Sequence, residues 1–235
     1  MATDDDKRLA AEAAVAEVAD GMLVGLGTGS TAAFAIAALG RRIAEGLRIE
    51  AVATSDATAA AARAAGIVVR DFSTIAALDL TIDGADEIDS RLFAIKGAGG
   101  AMLREKIVAA ASRRMVVIAD GSKRVAAIGA AKLPVEVLPF ARVAVVAALE
   151  KLGAAVAVRA GYVTDNGNII ADCRFSAMPD PRGLAARIDT IPGALGHGLF
   201  LDEVYAAYIA ADGHVTRLER DGSSGEGPNS HRTTP

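Results

Sequence analysis

The sequence predicts an α/β fold, a Rossmann-like parallel-sheet domain with a smaller ferredoxin-like α+β lobe. Three observations point there. Short apolar runs rich in β-branched residues alternate with alanine-rich helical stretches through the first half, the pattern of strands buried on both faces beneath helices. After Lys132 the order becomes β-α-β-β-α-β, that of a split βαβ unit. The 235 residues are 52% hydrophobic but only 4% aromatic. That is enough for one well-buried core of Ala, Val, Ile and Leu, with room for a second lobe.

The first strand is expected over residues 22–26. It opens the uncharged stretch from Gly21 to Gly40, which is long enough to span a bilayer. Glycine, serine and threonine crowd its centre, however, so it reads as a buried strand, a tight loop and a helix over 31–39. Strands over 49–53, 67–69, 79–82, 92–95 and 115–119 follow, with helices over 57–65 and 101–112. In the second half "LPVEVLP" is a strand and 141–152 a helix stopped by Gly153. Strands over 155–160 and 168–174 are joined through "TDNG", a strong turn sequence. A helix over 181–189 and a strand near 195–200 complete the lobe, and the last strands, near 204–218, return to the first sheet. The expected division is 1–131 plus 202–220 for the α/β catalytic domain and 132–201 for the ferredoxin-like lobe. Residues 221–235 have the composition of a disordered tail.

A net charge of −4 and a pI near 5.4 give no footprint for nucleic acid or an anionic membrane surface. The single Cys173 excludes an internal disulfide and fits a reducing compartment. The acidic start "MATDDDKR" is no signal peptide. The expected location is cytoplasmic.

Five polar or glycine-rich loops fall at strand carboxyl ends, where open α/β sheets bind ligands. In "VGLGTGSTAA" (Val24 to Ala33) glycines turn backbone N–H groups toward a helix N-terminus that can accept an anion, with Ser30 and Thr31 adding hydroxyls. A tight connection capped by Thr28 or Ser30 fits equally. The stretch from Gly27 to Ala32 also satisfies the dinucleotide pattern G-x-G-x-x-A, but the acid expected at the end of the second strand is missing; Glu50 stands at its start. In "TSDAT" Ser55 or Asp56 is expected to cap the next helix.

In "LDLTIDGADEID" Asp83 and Asp86 stand at a sheet end, where crowded carboxylates raise one another's pKa. Glu87 and Asp89 read as solvated or structural. In "IKGAGGAMLREK" Lys96 precedes a glycine nest formed with Gly97, Gly99 and Gly100, and Glu105 lies in the first turns of the next helix. A lysine and a carboxylate around such a nest can polarise a carbonyl and remove the proton beside it. Taken singly, Glu105 and Lys106 are better explained as ordinary solvated helix charges. In "IADGSK" Lys123 follows a strand end directly. Five loops sharing one side of a sheet suggest one site. The histidines, His197, His214 and His231, lie outside every motif, so a histidine triad or metal site is not expected. A Mg²⁺ site from Asp83, Asp86 and Glu87 is chemically possible, but Lys96 and Lys123 would supply the same positive charge.

The ordered blocks "GLGTGSTA", "TSDAT", "DGADEID", "KGAGGA", "LREK", "ADGSK", "LPVEVLP", "VTDNGN" and "IPG…GLF" resemble ribose-5-phosphate isomerase of the A type, over about residues 7–218. The resemblance implies interconversion of D-ribose 5-phosphate and D-ribulose 5-phosphate in the non-oxidative pentose phosphate pathway. It implies no metal or organic cofactor, a small sugar phosphate as the only substrate partner, and a homodimer or higher homo-oligomer. By motif, Glu105 would move a proton between C2 and C1 through an enediolate. Asp83, Asp86 and Lys96 would assist ring opening and stabilise that enediolate. Thr28, Gly29, Ser30 and Thr31 would hold the phosphate, with Lys7 as a further contact. Gly84, Ala85, Gly97, Ala98, Gly99 and Lys123 would line the substrate site. Two departures stand out: Ala98 interrupts the family's glycine run, which strains the nest if that position needs positive φ, and the segment after Phe200 differs from the usual ending. Two other classes compete, a nicotinamide-dependent oxidoreductase using the G-x-G-x-x-A loop and a sugar-phosphate-sensing regulator. The second would ordinarily carry a helix-turn-helix, for which the chain before the first strand leaves little room.

Overall fold

The computed structural model describes residues 4–220 of the chain; the tail expected over 221–235 lies outside the described residues. Helix α1 (Asp4–Val15) precedes strand β1 (Leu23–Leu26), followed by α2 (Ser30–Ala44), β2 (Glu50–Ala53), α3 (Asp56–Ala64) and β3 (Val68–Val69). Strand β4 (Leu80–Gly84) leads into a short hairpin, β5 (Glu87–Ile88) and β6 (Ala94–Ile95), then α4 (Met102–Ala110) and β7 (Met115–Asp120). The next six elements are β8 (Leu133–Val137), α5 (Arg142–Lys151), β9 (Ala155–Val158), β10 (Ile169–Arg174), α6 (Pro181–Asp189) and β11 (Ala194–His197). Strands β12 (Leu199–Phe200), β13 (Val204–Ala211) and β14 (His214–Glu219) end the described chain.

The main sheet has the order β14-β13-β7-β4-β1-β2-β3, parallel throughout except for the β13–β14 hairpin. Asp212 and Gly213 both take positive φ at that hairpin's turn, as a tight two-residue connection requires. Alternate side chains of a strand point to opposite faces, and both faces are covered here. Val116 and Ile118 of β7 pack with Ala10, Ala14 and Leu39 on one side, and Met115 and Val117 with Phe200 and Val204 on the other.

The second sheet has the order β11-β8-β10-β9 and is antiparallel. In chain order that is fourth, first, third, second strand, the ferredoxin-like arrangement. Val145 and Leu149 of α5 and Leu184 and Ile188 of α6 close one face over Leu133, Val135 and Val137. Between these valines Glu136 is fully buried. Its Oε1 accepts from Thr164 Oγ1 at 2.9 Å, Asn166 Nδ2 at 3.0 Å and Asn168 Nδ2 at 2.8 Å, so the "TDNG" turn is tied to the middle of the sheet.

Three elements differ from the sequence reading. Helix α1 carries no large apolar stripe; it buries Ala10, Ala11, Ala14 and Val15, and a face of small side chains gives little periodic signal. The strand expected near 195–200 is two strands in different sheets, because the chain changes partner at Gly198. There the N–H donates to Pro134 O and the carbonyl accepts from Lys96 N, both at 2.9 Å, and an added Cβ would lie 2.1 Å from Lys96 O. The strand expected over 92–95 shortens to Ala94–Ile95 because Leu92 takes φ +62° in a turn. Among the described residues no helix is long and apolar enough to cross a membrane.

Replacing Glu136 by Leu leaves three donors without an acceptor. Urea unfolding is expected to show a loss of at least about 2 kcal/mol; a loss within measurement error would show that the turn does not depend on this carboxylate.

Candidate active site

Four of the five loops, those after β1, β4, β6 and β7, line a cleft of ≈ 300 Å³. The loop after β2 does not reach it, and β6 belongs to a small three-stranded sheet, β12-β6-β5, rather than to the main one. The cradle after β1 is open. Gly29 occupies the N-cap of α2 with φ +118° and makes no side-chain cap bond, so neither Thr28 nor Ser30 caps the helix. The N–H groups of Ser30 and Thr31 therefore face the cleft free, joined by the positive end of the helix. Thr28 is different: its Oγ1 lies 2.8 Å from Thr54 Oγ1, 2.9 Å from Ser55 Oγ and 3.1 Å from Thr58 Oγ1. Its hydroxyl belongs to a buried hydroxyl cluster at the end of β2, where a dinucleotide site would carry its acid. Ser55 caps α3 as expected, accepting from Thr58 N, while Glu50 pairs with Arg70 at the far end of β2.

The floor is a buried ionic cluster. Asp83 at the end of β4 is 0% exposed, Lys96 just after β6 2%, and Glu105 on α4 3%. Lys96 Nζ lies 2.9 Å from Asp83 Oδ2 and 3.2 Å from Glu105 Oε2, and donates to Gly84 O at 2.5 Å. Asp83 Oδ1 accepts from the N–H groups of Gly84 at 2.7 Å and Thr28 at 3.2 Å. The Phe200 ring lies below, its centroid 5.4 Å from Lys96 Nζ and 4.5 Å from Lys106 Nζ.

One buried cation cannot balance two buried anions. Burial pulls the Lys96 ammonium down, but the charges of Asp83 and Glu105 outweigh it and hold the lysine above its ordinary range. Burial raises Asp83 against the opposing Lys96 charge. Burial and then the Asp83 charge push Glu105 up to about 8, with Lys96 opposing and Asp86 adding a smaller push. Glu105 therefore exchanges a proton near neutral pH.

The wall opposite the cradle is the loop over 97–100. Positive φ falls on Gly97 (+103°) and Gly100 (+86°), and Ala98 avoids it, so the interruption of the glycine run introduces no strain. Asp86 Oδ2 accepts from Ala98 N at 2.8 Å, which closes the loop onto the end of β4. Lys123, in the turn after β7, also lines the cleft and makes no ion pair within the described protein.

The structure thus brings Thr28, Gly29, Ser30, Thr31, Gly84, Ala85, Asp86, Lys96, Gly97, Ala98, Gly99, Glu105 and Lys123 around one cleft, with Asp83 buried beneath it. The solvated readings of Glu105 and Lys106 need correction, and of the two readings of Glu87 and Asp89 the structural one holds. Glu105 is buried rather than solvated. Lys106 donates to Leu199 O and pairs with Glu203 at 3.1 Å. Glu87 is buried, its two oxygens accepting from Gly129 N and Ala131 N at 2.7 Å each. Asp89 is fully buried and accepts from the N–H groups of Arg91 and Phe93. With Glu87 turned away, no three metal-ligating side chains converge among the described residues. Lys7 pairs with Asp4 and does not line the cleft. The "TSDAT" hydroxyls of Thr54 and Thr58 reach the site through the hydroxyl cluster, and two residues the sequence did not single out, Arg159 and Tyr162, reach it from the second sheet's loops.

A parallel sheet with ionisable loops gathered over its carboxyl edge defines an α/β enzyme. Comparison places it further. The family model described as ribose 5-phosphate isomerase A (phosphoriboisomerase A) matches residues 50–214. Ribose-5-phosphate isomerase A of Sphingopyxis alaskensis is 57% identical over 209 residues, 87% of this chain and 92% of that protein. The crystal structure of ribose 5-phosphate isomerase A from Neisseria gonorrhoeae superposes with a TM-score of 0.89 at 37% identity, covering 94% of this chain and all of that one. A D-ribose-5-phosphate isomerase solved in complex with phospho-erythronic acid gives 0.90 at 34% identity, covering 94% and 100%. The chain belongs to the ribose 5-phosphate isomerase A family and is an isomerase.

The raised Glu105 pKa has a consequence for stability. The folded state holds this proton more tightly than the unfolded chain, so the group's stabilising contribution is complete below about 4.5 and is lost as pH rises through about 8. Glu105→Gln cannot ionise, so its melting temperature is expected to gain on wild type between those limits. Parallel pH dependences would show that Glu105 titrates normally.

Proposed function

We propose that the chain interconverts D-ribose 5-phosphate and D-ribulose 5-phosphate by proton transfer between C2 and C1 through an enediolate. The observation that carries this reading is the buried Asp83–Lys96–Glu105 cluster beneath an open helix N-terminus. Aldose–ketose isomerisation needs an anion site, a base and a cation for the developing oxyanion, and the cleft offers all three within one small volume. Glu105 is the base: its raised pKa suits it both to take a proton and to return it. Lys96 stays charged and stabilises the enediolate oxygen, and Asp83 holds Lys96 in place while closing off its other side. Asp86, a half-buried carboxylate that lines the cleft, assists ring opening.

The phosphate sits on the cradle over 28–31, held by the Gly29, Ser30 and Thr31 N–H groups and the hydroxyls of Ser30 and Thr31. The committed Thr28 hydroxyl shapes the cradle from behind. Lys123 contacts the substrate from the other rim. The names of the relatives support the substrate assignment. No step calls for a metal or organic cofactor. In this reading 1–131 with 202–220 form the catalytic domain and 132–201 the smaller lobe. The protein works in the cytoplasm as a homodimer or larger homo-oligomer, in the non-oxidative pentose phosphate pathway.

The decisive assay is ribulose 5-phosphate formation from ribose 5-phosphate in excess EDTA. Wild type is expected to be active, and Glu105→Gln to lose about 10²–10⁴-fold in kcat while still binding substrate; wild-type-like turnover in the variant removes Glu105 as the base. Because the ionised form is required, wild-type kcat/KM should rise with pH and level off above about 8, and a profile flat from pH 6 to 9 would contradict that role. Lys123→Ala should raise KM at least as much as it lowers kcat, since an unpaired ammonium on the rim acts through binding; an unchanged KM would remove Lys123 from the substrate's contacts.

A further inference from the structure

The loop over 97–100 is held from behind by side chains of the second sheet's connections. Arg159 follows β9 directly. Its Nη1 donates to the Ala98 carbonyl at 3.0 Å, and its Nε and Nη2 donate to Asp172 of β10 at 3.1 and 2.6 Å. Tyr162 Oη donates to the Gly99 carbonyl at 2.9 Å, and the Arg159 guanidinium lies 5.3 Å from the Tyr162 ring. On the cleft side, Asp86 accepts the Ala98 N–H.

A trans peptide is planar, and its carbonyl and N–H point in opposite directions. No cis peptide occurs among the described residues. With the Ala98 carbonyl held toward Arg159, the N–H of the same peptide unit, that of Gly99, points away from the arginine. Gly99 lines the cleft with Thr28 and Glu105, and its N–H has no acceptor among the described residues. A guanidinium on a peptide oxygen also polarises that unit's N–H and makes it a stronger donor. The fork on Asp172 fixes the plane from which the arginine does this.

We propose that Arg159 is a positioning residue: it orients and polarises the Ala98–Gly99 peptide so that the Gly99 N–H is aimed at an oxyanion in the cleft, while Tyr162 keeps the next carbonyl from turning inward. The orientation stands on the geometry above; its effect on turnover rests on the isomerase reading. The second lobe then takes part in the chemistry through the backbone, without touching the substrate.

The test is Arg159→Met, with Arg159→Lys and Tyr162→Phe beside it. In Arg159→Met kcat is expected to fall about three- to tenfold, the size of one hydrogen bond. Inhibition by phospho-erythronic acid, whose carboxylate stands in for the enediolate oxygens, should weaken by a similar factor. Inhibition by inorganic phosphate, which reports on the helix N-terminus, should not change. Tyr162→Phe should show a smaller loss of the same kind, and Arg159→Lys a partial recovery. The Gly99 amide resonance should move in Arg159→Met. An unchanged kcat, or phosphate inhibition that weakens in step with kcat, overturns the proposal. Should wild type itself lack isomerase activity, only the functional reading fails. The Gly99 amide then decides the orientation: a shifted resonance supports it and an unmoved one overturns it.

Discussion

A lysine buried between two carboxylates is the constraint on which the rest of this molecule depends. An ammonium removed from water is tolerated only where opposite charge and hydrogen-bond acceptors surround it, and Lys96 has Asp83, Glu105 and the Gly84 carbonyl. The three charged side chains come from different elements: Asp83 from the end of β4, Glu105 from the start of α4 and Lys96 from just after β6. The cluster can therefore exist only when the main sheet, the short hairpin and α4 are docked together. Its tightness dictates residue size nearby. A Cβ on Gly27 would lie 1.9 Å from Asp83 Oδ1, so the cradle and the buried acid must be built together.

The same constraint accounts for the proton. Asp83 carries two backbone N–H donors as well as Lys96, whereas Glu105 faces Lys96 and the unfavourable field of Asp83. Burial raises both carboxyls, and the field of Asp83 adds to that push on Glu105 and brings its titration to about 8. The fully buried Phe200 ring lies against both Lys96 and Lys106 and adds to the burial of the cluster.

The second sheet is joined to this centre by an apolar seam, in which Ile95 and Leu199 pack with Leu133 and Val135, and by a dense set of polar contacts. Arg104 on α4 bridges Asp56, Asn166 and the Asp165 carbonyl, and Asp165 accepts from Asp56 N at the head of α3. Since Asn166 is also bound by the buried Glu136, the turn that meets the catalytic loops is rigid at its root. Polar contacts of this kind set orientation closely, as a loop presenting single N–H groups requires.

Much of this was legible in the amino-acid sequence. The strand–helix alternation, the ferredoxin-like order of the second half and the five loops at strand ends follow from local periodicity and turn chemistry, which act over a few residues. So does the anion cradle at Gly29, whose φ only glycine adopts easily. Helix α1 was illegible because its buried face is mostly alanine, and the break at Gly198 because sheet partners lie far apart in sequence. Taken singly, Glu105 read as a solvated charge, and Glu87 and Asp89 as solvated or structural, because neighbouring residues do not determine burial. The tertiary structure decided that Glu105 shares a lysine with Asp83, that Thr28 spends its hydroxyl on Thr54 and Ser55, and that Arg159 reaches Ala98 across 61 positions. Those outcomes turn on the charges and donors that folding brings to within about 3 Å, where Coulomb and hydrogen-bond energies become large, and no window of sequence contains them.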